Sequence, residues 1–241
     1  MPHPMFKPLE KKRYSDQIAE AIQSQILEQQ LKVGAGLPNE LALAQEFKVS
    51  RSVIREALRI MEISGLVKIK KGPTGGIFVS NGYHKPVMTT LRNMVTSGEV
   101  NVDHLMDIRL LVEPHIAMQV AQNGASEDIQ KIGELIDDST KHLDDPLHIK
   151  KNNLLFHLLL ARAAGNPVMA ILMESVFEIL IEISLDFMDL DVEKDFHEKH
   201  QNIYLKLKQR RPKAAARLIT DDIDSLRNRL NRHKASHSES S

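Results

Sequence analysis

Three arginines recur at four-residue intervals within residues 50–65. Residues four apart lie on the same face of an α-helix, so Arg51, Arg55 and Arg59 would share one edge, with Ser52 beside them. A guanidinium group carries a fork of N–H donors that fits the O6 and N7 atoms of guanine, or a phosphate group. The spacing therefore predicts a helix face that binds a polyanion.

The charge distribution favours a polyanion partner for this part of the chain. Residues 1–80 carry 12 Lys and Arg against 8 Asp and Glu, and residues 81–241 carry 20 against 24. A basic first part with a net charge of +4 is therefore joined to an acidic remainder of −4. The alternative is a solvated helix face whose arginines form local ion pairs with Glu56 and Glu62.

Enzyme chemistry has little support in the residue types. Cysteine is absent from the 241 residues, which excludes disulfide bonds, thiolate nucleophiles and Cys-ligated zinc. A metal site would have to use carboxylates and some of the 11 histidines. The sequence contains no HExxH motif, no Gly-rich phosphate loop and no positioned nucleophile. We therefore do not expect the chain to be an enzyme.

The elements that must position the arginines follow from apolar periodicity and capping residues. The pattern predicts three helices, which begin at Ser15, Asn39 and Ser50, and the third stops at Gly65. Two short strands, 66–70 and 77–79, follow with a basic Gly-rich turn between them. This order is typical of a winged helix-turn-helix domain, in which the third helix enters the major groove and the hairpin touches the DNA beside it.

The pattern in the rest of the chain predicts helices. The pattern predicts seven helices, over residues 87–97, 102–123, 127–142, 147–164, 167–188, 193–208 and 212–233. We predict a mainly α protein, with the winged helix-turn-helix domain in 1–80, a linker in 81–86, an all-helical bundle domain in 87–235 and a frayed tail in 236–241. Neither a long apolar segment nor a signal peptide is evident, so we expect a cytoplasmic protein with no membrane partner.

A resemblance to a known family is carried by the run LPNELALAQEFKVSRSVIREALRIMEISGLVKIKKGPTGGIFV, which is similar to the DNA-binding domain of GntR-family transcription regulators. The later runs DIRLLVEPHIAMQVA, NNLLFHLLLARAAGNPVM and HQNIYLKLKQRRPKAAARLITDD resemble, in that order, the FCD effector domain of the FadR subfamily. The resemblance covers nearly the whole chain. It implies a homodimeric repressor that binds a palindromic operator in double-stranded DNA and responds to a small carboxylate effector, often beside a metal ion.

The family's DNA contacts can be carried over residue by residue. Arg51 and Arg55 match arginines that contact bases and phosphates, and Lys71 and Gly72 match the tip of the hairpin. The residues that we expect to contact DNA are Arg51, Ser52, Arg55, Arg59, Lys71, Gly72 and Thr74. Leu41 departs from the pattern, because the family commonly has Arg there, so the operator sequence of relatives should not be assumed.

The same alignment places four metal-ligand positions at Asn153, His157, His200 and Asp222. The family has Asp, His, His and His there, so two positions are identical and two are changed. Two imidazoles with a carboxylate suit zinc, nickel, manganese or iron as a divalent cofactor. Two alternatives stay open at this point. His157 lies in an apolar run and could be an ordinary core histidine, and His197 lies one turn before His200.

The resemblance also assigns an effector contact to Arg109. A guanidinium group pairs bidentately with a carboxylate, which would select acidic metabolites. The alternative is a structural ion pair with Glu113, four residues later. A second class of function also stays open, a metal-dependent hydrolase that uses the His and Asp side chains of the helical domain.

Overall fold

The computed structural model describes residues 13–28, 31–72, 75–184 and 189–238. The chain divides into two compact units, residues 1–86 and 87–241. Most of the described residues are helical, which confirms the prediction of a mainly α fold. None of the helices in these ranges combines the length and the apolarity that a membrane span requires.

The first unit contains three helices and a small sheet. Its elements are α1 (Tyr14–Glu28), β1 (Gly36–Leu37), α2 (Glu40–Phe47), α3 (Arg51–Ile63), β2 (Val67–Lys70) and β3 (Gly76–Val79). The strand order is β1-β3-β2, and both pairings are antiparallel. The predicted winged helix-turn-helix order is therefore present, with one extra strand. Sequence periodicity missed β1 because two residues are too few to show an alternation.

The predicted capping residues have different outcomes. Asn39 caps α2, because its Oδ1 accepts a hydrogen bond from the Ala42 amide at 2.9 Å. Ser50 occupies the N-cap position of α3, but its hydroxyl pairs with the Ser52 hydroxyl at 2.8 Å and caps no amide. The prediction that Ser15 caps α1 is wrong, because α1 already begins at Tyr14 and Ser15 is buried within the first turn.

One face of α3 anchors this unit. Ile54, Ala57, Leu58 and Met61 are at most 1 % exposed and pack in a core with the apolar face of α1. Burying a large apolar side chain contributes roughly 1.5–3 kcal/mol, so this seam holds α3 firmly. The opposite face, which carries the arginines, is thereby directed outward.

The second unit consists of helices. They are α4 (His84–Thr96), α5 (Val102–Asn123), α6 (Ser126–Lys141), α7 (Pro146–Ala163), α8 (Pro167–Ser184), α9 (Leu190–Lys208) and α10 (Pro212–Ser238). Their core contains fully buried side chains from several helices, including Met106, Ile116, Phe156 and Ile203. The all-helical prediction for this part is confirmed.

The boundaries of α4, α9 and α10 differ from the prediction by three residues or more, whereas several others differ by one residue. α4 begins at His84, inside the predicted linker 81–86, because Pro86 lies in the first turn, where proline is tolerated. α9 begins at Leu190, because Asp189 accepts hydrogen bonds from two amides and caps it there. α10 continues to Ser238, so residues 236–238 of the predicted frayed tail are helical and residues 239–241 lie outside the described residues.

Gly65 is the most constrained glycine in the first unit. Its φ is +74°, and a Cβ built there would lie 2.1 Å from the carbonyl oxygen of Gly82. We expect Gly65→Ala to lower the free energy of unfolding by more than the approximately 1–2 kcal/mol that a left-handed backbone alone costs an L-residue. Chemical unfolding of the full chain, followed by circular dichroism, measures this difference.

Gly34 offers a matched control. Its φ is +88°, but a Cβ there would meet no atom of the described residues within 4 Å. Gly34→Ala should therefore lower the free energy of unfolding only by the cost of a left-handed backbone, because no steric clash with a neighbouring residue is added. Equal losses in the two variants would contradict the close approach of Gly65 to Gly82.

Candidate DNA-binding face and effector cavity

The exposed face of α3 carries the predicted DNA-contacting arginines. The side chains of Arg51, Arg55 and Arg59 are 57 %, 61 % and 70 % exposed. Ser52 is exposed beside them. Arg59 has a loose ion pair with Glu56 at 4.0 Å. Glu62, the other proposed ion-pair partner, instead accepts a hydrogen bond from the amide of Ile69 and ties α3 to the hairpin.

Sequence reasoning missed Glu40, which organises this face. Its Oε2 accepts hydrogen bonds from Arg51 Nη2 at 3.2 Å and from Arg55 Nε at 2.8 Å. The hydrogen bond from Arg55 lowers the pKa of the Glu40 carboxyl, and the Arg51 hydrogen bond acts in the same direction, so Glu40 is ionised at neutral pH. One carboxylate at the start of α2 thus holds two guanidinium groups of α3 side by side. Leu41, at the position where the family commonly has Arg, is 55 % exposed on α2.

The hairpin adds a second cationic surface to this unit. Lys68, Lys70 and Lys71 are exposed on β2 and at its end. Gly72 has a φ of +103° in the turn, and a Cβ there would meet nothing within 4 Å. Backbone with this freedom and without a side chain can approach a phosphate closely. Thr74, also predicted to contact DNA, lies outside the described residues.

Four helices of the second unit bring the remaining candidate residues around one cavity. Arg109 comes from α5, Asn153 and His157 from α7, His200 from α9 and Asp222 from α10, and all five are buried. The cavity measures about 60 Å³ and is lined by Arg109, Asn153, His157 and Asp222 among other residues. This volume has room for an ion and a few water-sized groups.

Three of the four predicted metal ligands converge. One ligand atom from each of His157, His200 and Asp222 lies within 4.8 Å of the other two. Asp222 Oδ2 is 3.4 Å from His157 Nε2 and 3.6 Å from His200 Nε2, which is long for a hydrogen bond.

The same cluster contains buried polar atoms without partners. Among the described residues, both ring nitrogens of His200 and the Oδ1 of Asp222 have no hydrogen-bond partner. Buried polar atoms nearly always have a hydrogen-bond partner, so buried polar atoms without one require an explanation. A divalent ion between two imidazoles and a carboxylate would take one ring nitrogen of His200 and an oxygen of Asp222, and the residues therefore fit the metal that the resemblance implies.

The electrostatics prepare two of these three groups, His200 and Asp222, to bind a cation. Burial alone would lower the pKa of the third group, His157, but the neighbouring Glu113 outweighs burial and raises it, which favours a proton on that ring. Burial lowers the pKa of His200, so its ring is neutral and keeps a lone pair available. Burial alone would raise the pKa of Asp222, but the neighbouring His200 and His157 outweigh burial and lower it, so the carboxylate is ionised. A neutral imidazole and an ionised carboxylate are the protonation states in which both groups act as ligands.

Glu113 orients the cluster, although sequence reasoning had considered it only as a partner of Arg109. Its Oε2 accepts a hydrogen bond from His157 Nδ1 at 2.6 Å, and its Oε1 accepts one from Arg109 Nε at 2.5 Å. A proton held on Nδ1 leaves Nε2 of His157 to face Asp222. No sequence signal could have shown the contact between Glu113 and His157, because they are 44 residues apart.

The two alternatives for Arg109 coexist. It forms the structural ion pair with Glu113, with both side chains 1 % exposed. Its guanidinium group also lines the cavity, where Nη2 lies 3.4 Å from each ring nitrogen of His157. Arg109 is thus placed beside the candidate metal ligands and remains a predicted effector contact.

The fourth predicted ligand, Asn153, lines the cavity with its amide turned to another partner. Its Nδ2 donates hydrogen bonds to the backbone oxygen of Glu193 at 3.1 Å and to Glu193 Oε2 at 2.9 Å. Glu193 also forms a buried ion pair with Lys150 at 3.1 Å. His197, the rival of His200, instead contacts the Thr140 hydroxyl through Nε2 at 3.1 Å.

Comparisons with known proteins agree with both units. Residues 14–79 match the family described as bacterial regulatory proteins, gntR family, and residues 104–225 match the FCD domain. The HTH-type transcriptional repressor NanR of Salmonella newport (strain SL254) is 24 % identical over 226 residues, which cover 91 % of this chain and 86 % of that protein. The protein of the same name from Citrobacter rodentium (strain ICC168) is 25 % identical with the same coverage.

Solved structures show the same arrangement of elements. A structure described as Streptococcus agalactiae GntR aligns with a TM-score of 0.62 at 29 % identity and covers 89 % of this chain and 99 % of that one. E. coli McbR/YncC aligns with a TM-score of 0.51 at 16 % identity, covers 93 % of this chain and 100 % of that one, and supports the fold alone.

The buried pair of Arg109 and Glu113 allows a stability prediction. Glu113→Gln leaves a buried guanidinium group without its carboxylate, and breaking such a pair costs about 3–5 kcal/mol. Urea unfolding of the chelator-treated protein should show a loss of this size. Glu182→Gln is the matched control, because its ion pair with Arg92 is solvent-exposed and worth about 0–1 kcal/mol. Similar losses in both variants would show that the buried network carries little of the stability.

Proposed function

This chain belongs to the gntR family of bacterial regulatory proteins and has an FCD domain after its winged helix, so it is a DNA-binding transcription regulator; we propose that it is a repressor modulated by a small carboxylate effector. The exposed arginine face of α3 beside the lysine-bearing hairpin is the observation that carries the DNA-binding role. The partly unsatisfied cavity of the FCD domain supports the effector role.

In the proposed complex α3 enters the major groove. Arg51 and Arg55 would donate to base edges or phosphates in place of Glu40, which holds them side by side without DNA. Lys71 and Gly72 at the hairpin would contact the backbone. One recognition helix reads only a few base pairs, so we propose a homodimer that places two helices on a palindromic operator.

The effector site is proposed for the cavity of the second unit. His157, His200 and Asp222 would hold a divalent ion, with the Asn153 side chain nearby. Such an ion supplies a Lewis-acidic position for a carboxylate oxygen. Arg109 provides a second, cationic anchor on the same cavity wall, and Glu113 keeps both Arg109 and His157 oriented.

Regulation requires unequal binding of the effector to two forms of the protein. A 5- to 150-fold change in operator affinity corresponds to about 1–3 kcal/mol of coupling between the two sites. An effector that needs more room than the cavity of about 60 Å³ offers would displace side chains such as Lys150 or Glu193 as it binds. That rearrangement supplies a physical difference between bound and free FCD domains.

The alternative function, a metal-dependent hydrolase, receives no support from the family comparisons. The family itself consists of regulators. We place the proposed activity in the cytoplasm, where a bacterial regulator meets its DNA.

The DNA assignment predicts specific losses of affinity. Arg51→Ala and Arg55→Ala should each weaken operator binding by about 1–3 kcal/mol where the contact is to a base. Lys71→Ala should weaken binding to all DNA sequences about equally. It should also reduce the slope of the logarithm of affinity against the logarithm of salt concentration by about one unit. Fluorescence anisotropy on a duplex selected from a random pool measures both effects.

Arg217→Ala is the control for these variants, because Arg217 is 84 % exposed on α10 of the other unit. It should leave operator affinity unchanged. If the double variant of Arg51 and Arg55 bound the operator as tightly as the unmodified chain, the proposed docking of α3 would be wrong.

The metal assignment predicts a loss of bound ion. A His157→Ala, His200→Ala double variant should contain about one divalent ion per chain fewer than the unmodified protein, because two of the three clustered ligands are removed. Metal analysis by mass spectrometry measures the content, and His115→Ala, an exposed histidine on α5, serves as control. Equal content in the double variant and the unmodified chain would reject this site.

A further inference from the structure

We propose that Asp138, His142 and His148 form a second divalent transition-metal site, at the surface of the FCD domain where α6 meets α7. This proposal is independent of the effector cavity. The sequence pattern indicated no role for His142 or His148. Nothing in the family comparison assigns these three residues a role either.

The three side chains converge from two helices. Asp138 lies on α6, with His142 four residues later at its C-cap, and His148 lies in the first turn of α7. One ligand atom from each residue lies within 4.8 Å of the other two. His148 Nε2 is 2.7 Å from Asp138 Oδ2, and the two imidazole centroids are 4.4 Å apart. An ion between them would take the place of the proton shared by His148 and Asp138.

Neighbouring groups hold the three ligands in place. The Asn152 side-chain nitrogen lies 2.9 Å from Asp138 Oδ2 and 3.2 Å from His148 Nε2, and it also donates to the Ser139 hydroxyl. His142 Nδ1 donates to the backbone oxygen of Asp138 at 2.8 Å. Supporting hydrogen bonds of this kind orient metal ligands and reduce the entropy lost on binding.

The local charge attracts cations. Residues 137–148 contain four aspartates and one lysine, so the segment carries a net charge of −3 when its histidines are neutral. A cluster of one sign of charge raises the local concentration of counter-ions.

The ligand types select the class of ion. Two imidazoles and one carboxylate suit zinc, nickel, cobalt or copper(II), whereas magnesium and calcium prefer oxygen ligands alone. The three side chains are between a third and a half exposed, so water can complete the coordination. The ion would tie the end of α6 to the first turn of α7.

The site is separate from the effector cavity although one helix contributes to both. His148 and His157 are nine residues apart on α7, which corresponds to about 13 Å along the helix axis. No single ion can contact both histidines over that distance. A chain with both sites loaded would therefore hold two ions.

The test counts zinc ions by isothermal titration of the full, tag-free chain after chelator treatment. The unmodified chain should bind one zinc ion more than a His142→Ala, His148→Ala double variant. His115→Ala should retain the stoichiometry of the unmodified chain. Asp138→Asn, which keeps both imidazoles and the side-chain volume, should weaken the same binding event by about tenfold or more.

The design separates the two proposed sites. If the effector cavity binds no metal, the unmodified chain binds one ion and the His142/His148 variant none. If the surface site does not exist, the unmodified chain and this variant bind the same number of ions, and Asp138→Asn has no effect. That result overturns the proposal. Circular dichroism melting in chelator must show that the variants retain the fold of the unmodified protein.

Discussion

The buried carboxylate of Glu113 is the interaction on which the interior of the FCD domain depends. It bridges Arg109 and His157, and His157 in turn faces Asp222 and His200. Ionisable groups in a core cost several kcal/mol each in lost hydration unless charges and hydrogen bonds compensate them. Glu113 is held by both neighbours, whereas His200 and one oxygen of Asp222 have no hydrogen-bond partner within the part of the chain that the structure describes. The polar groups that lack partners therefore lie beside the cavity, where a bound ligand can satisfy them.

The winged helix uses a carboxylate in a different way. Glu40 also joins two cationic side chains, but it does so in contact with solvent, where an ion pair contributes at most about 1 kcal/mol to stability. Its effect is therefore one of orientation, because it holds Arg51 and Arg55 side by side. The apolar seam of α3 against α1 supplies the rigidity of the face.

α7 carries polar side chains of both the surface cluster and the cavity of the FCD domain. Its first turn carries His148 near Asp138, and two turns later Asn153 and His157 line the cavity. Asp145 caps its start through the amide of His148, so the helix terminus and the surface cluster share a residue. A rigid helix with Phe156 and Leu160 fully buried holds its polar side chains at set positions relative to α5, α9 and α10.

The sequence by itself determined the helices, the hairpin and the outward arginine face, because periodicity and spacing act over a few residues. Its resemblance to the family, and not periodicity, indicated the residues that surround the cavity. It did not reveal β1, which is only two residues long, or the true cap of α1, where Ser15 lies inside the helix. Only the tertiary structure placed Glu40 between two arginines, Glu113 against His157 and Asp138 against His148. These contacts join residues ten to more than forty positions apart. They depend on how whole helices pack, and no local spacing in the sequence encodes that geometry.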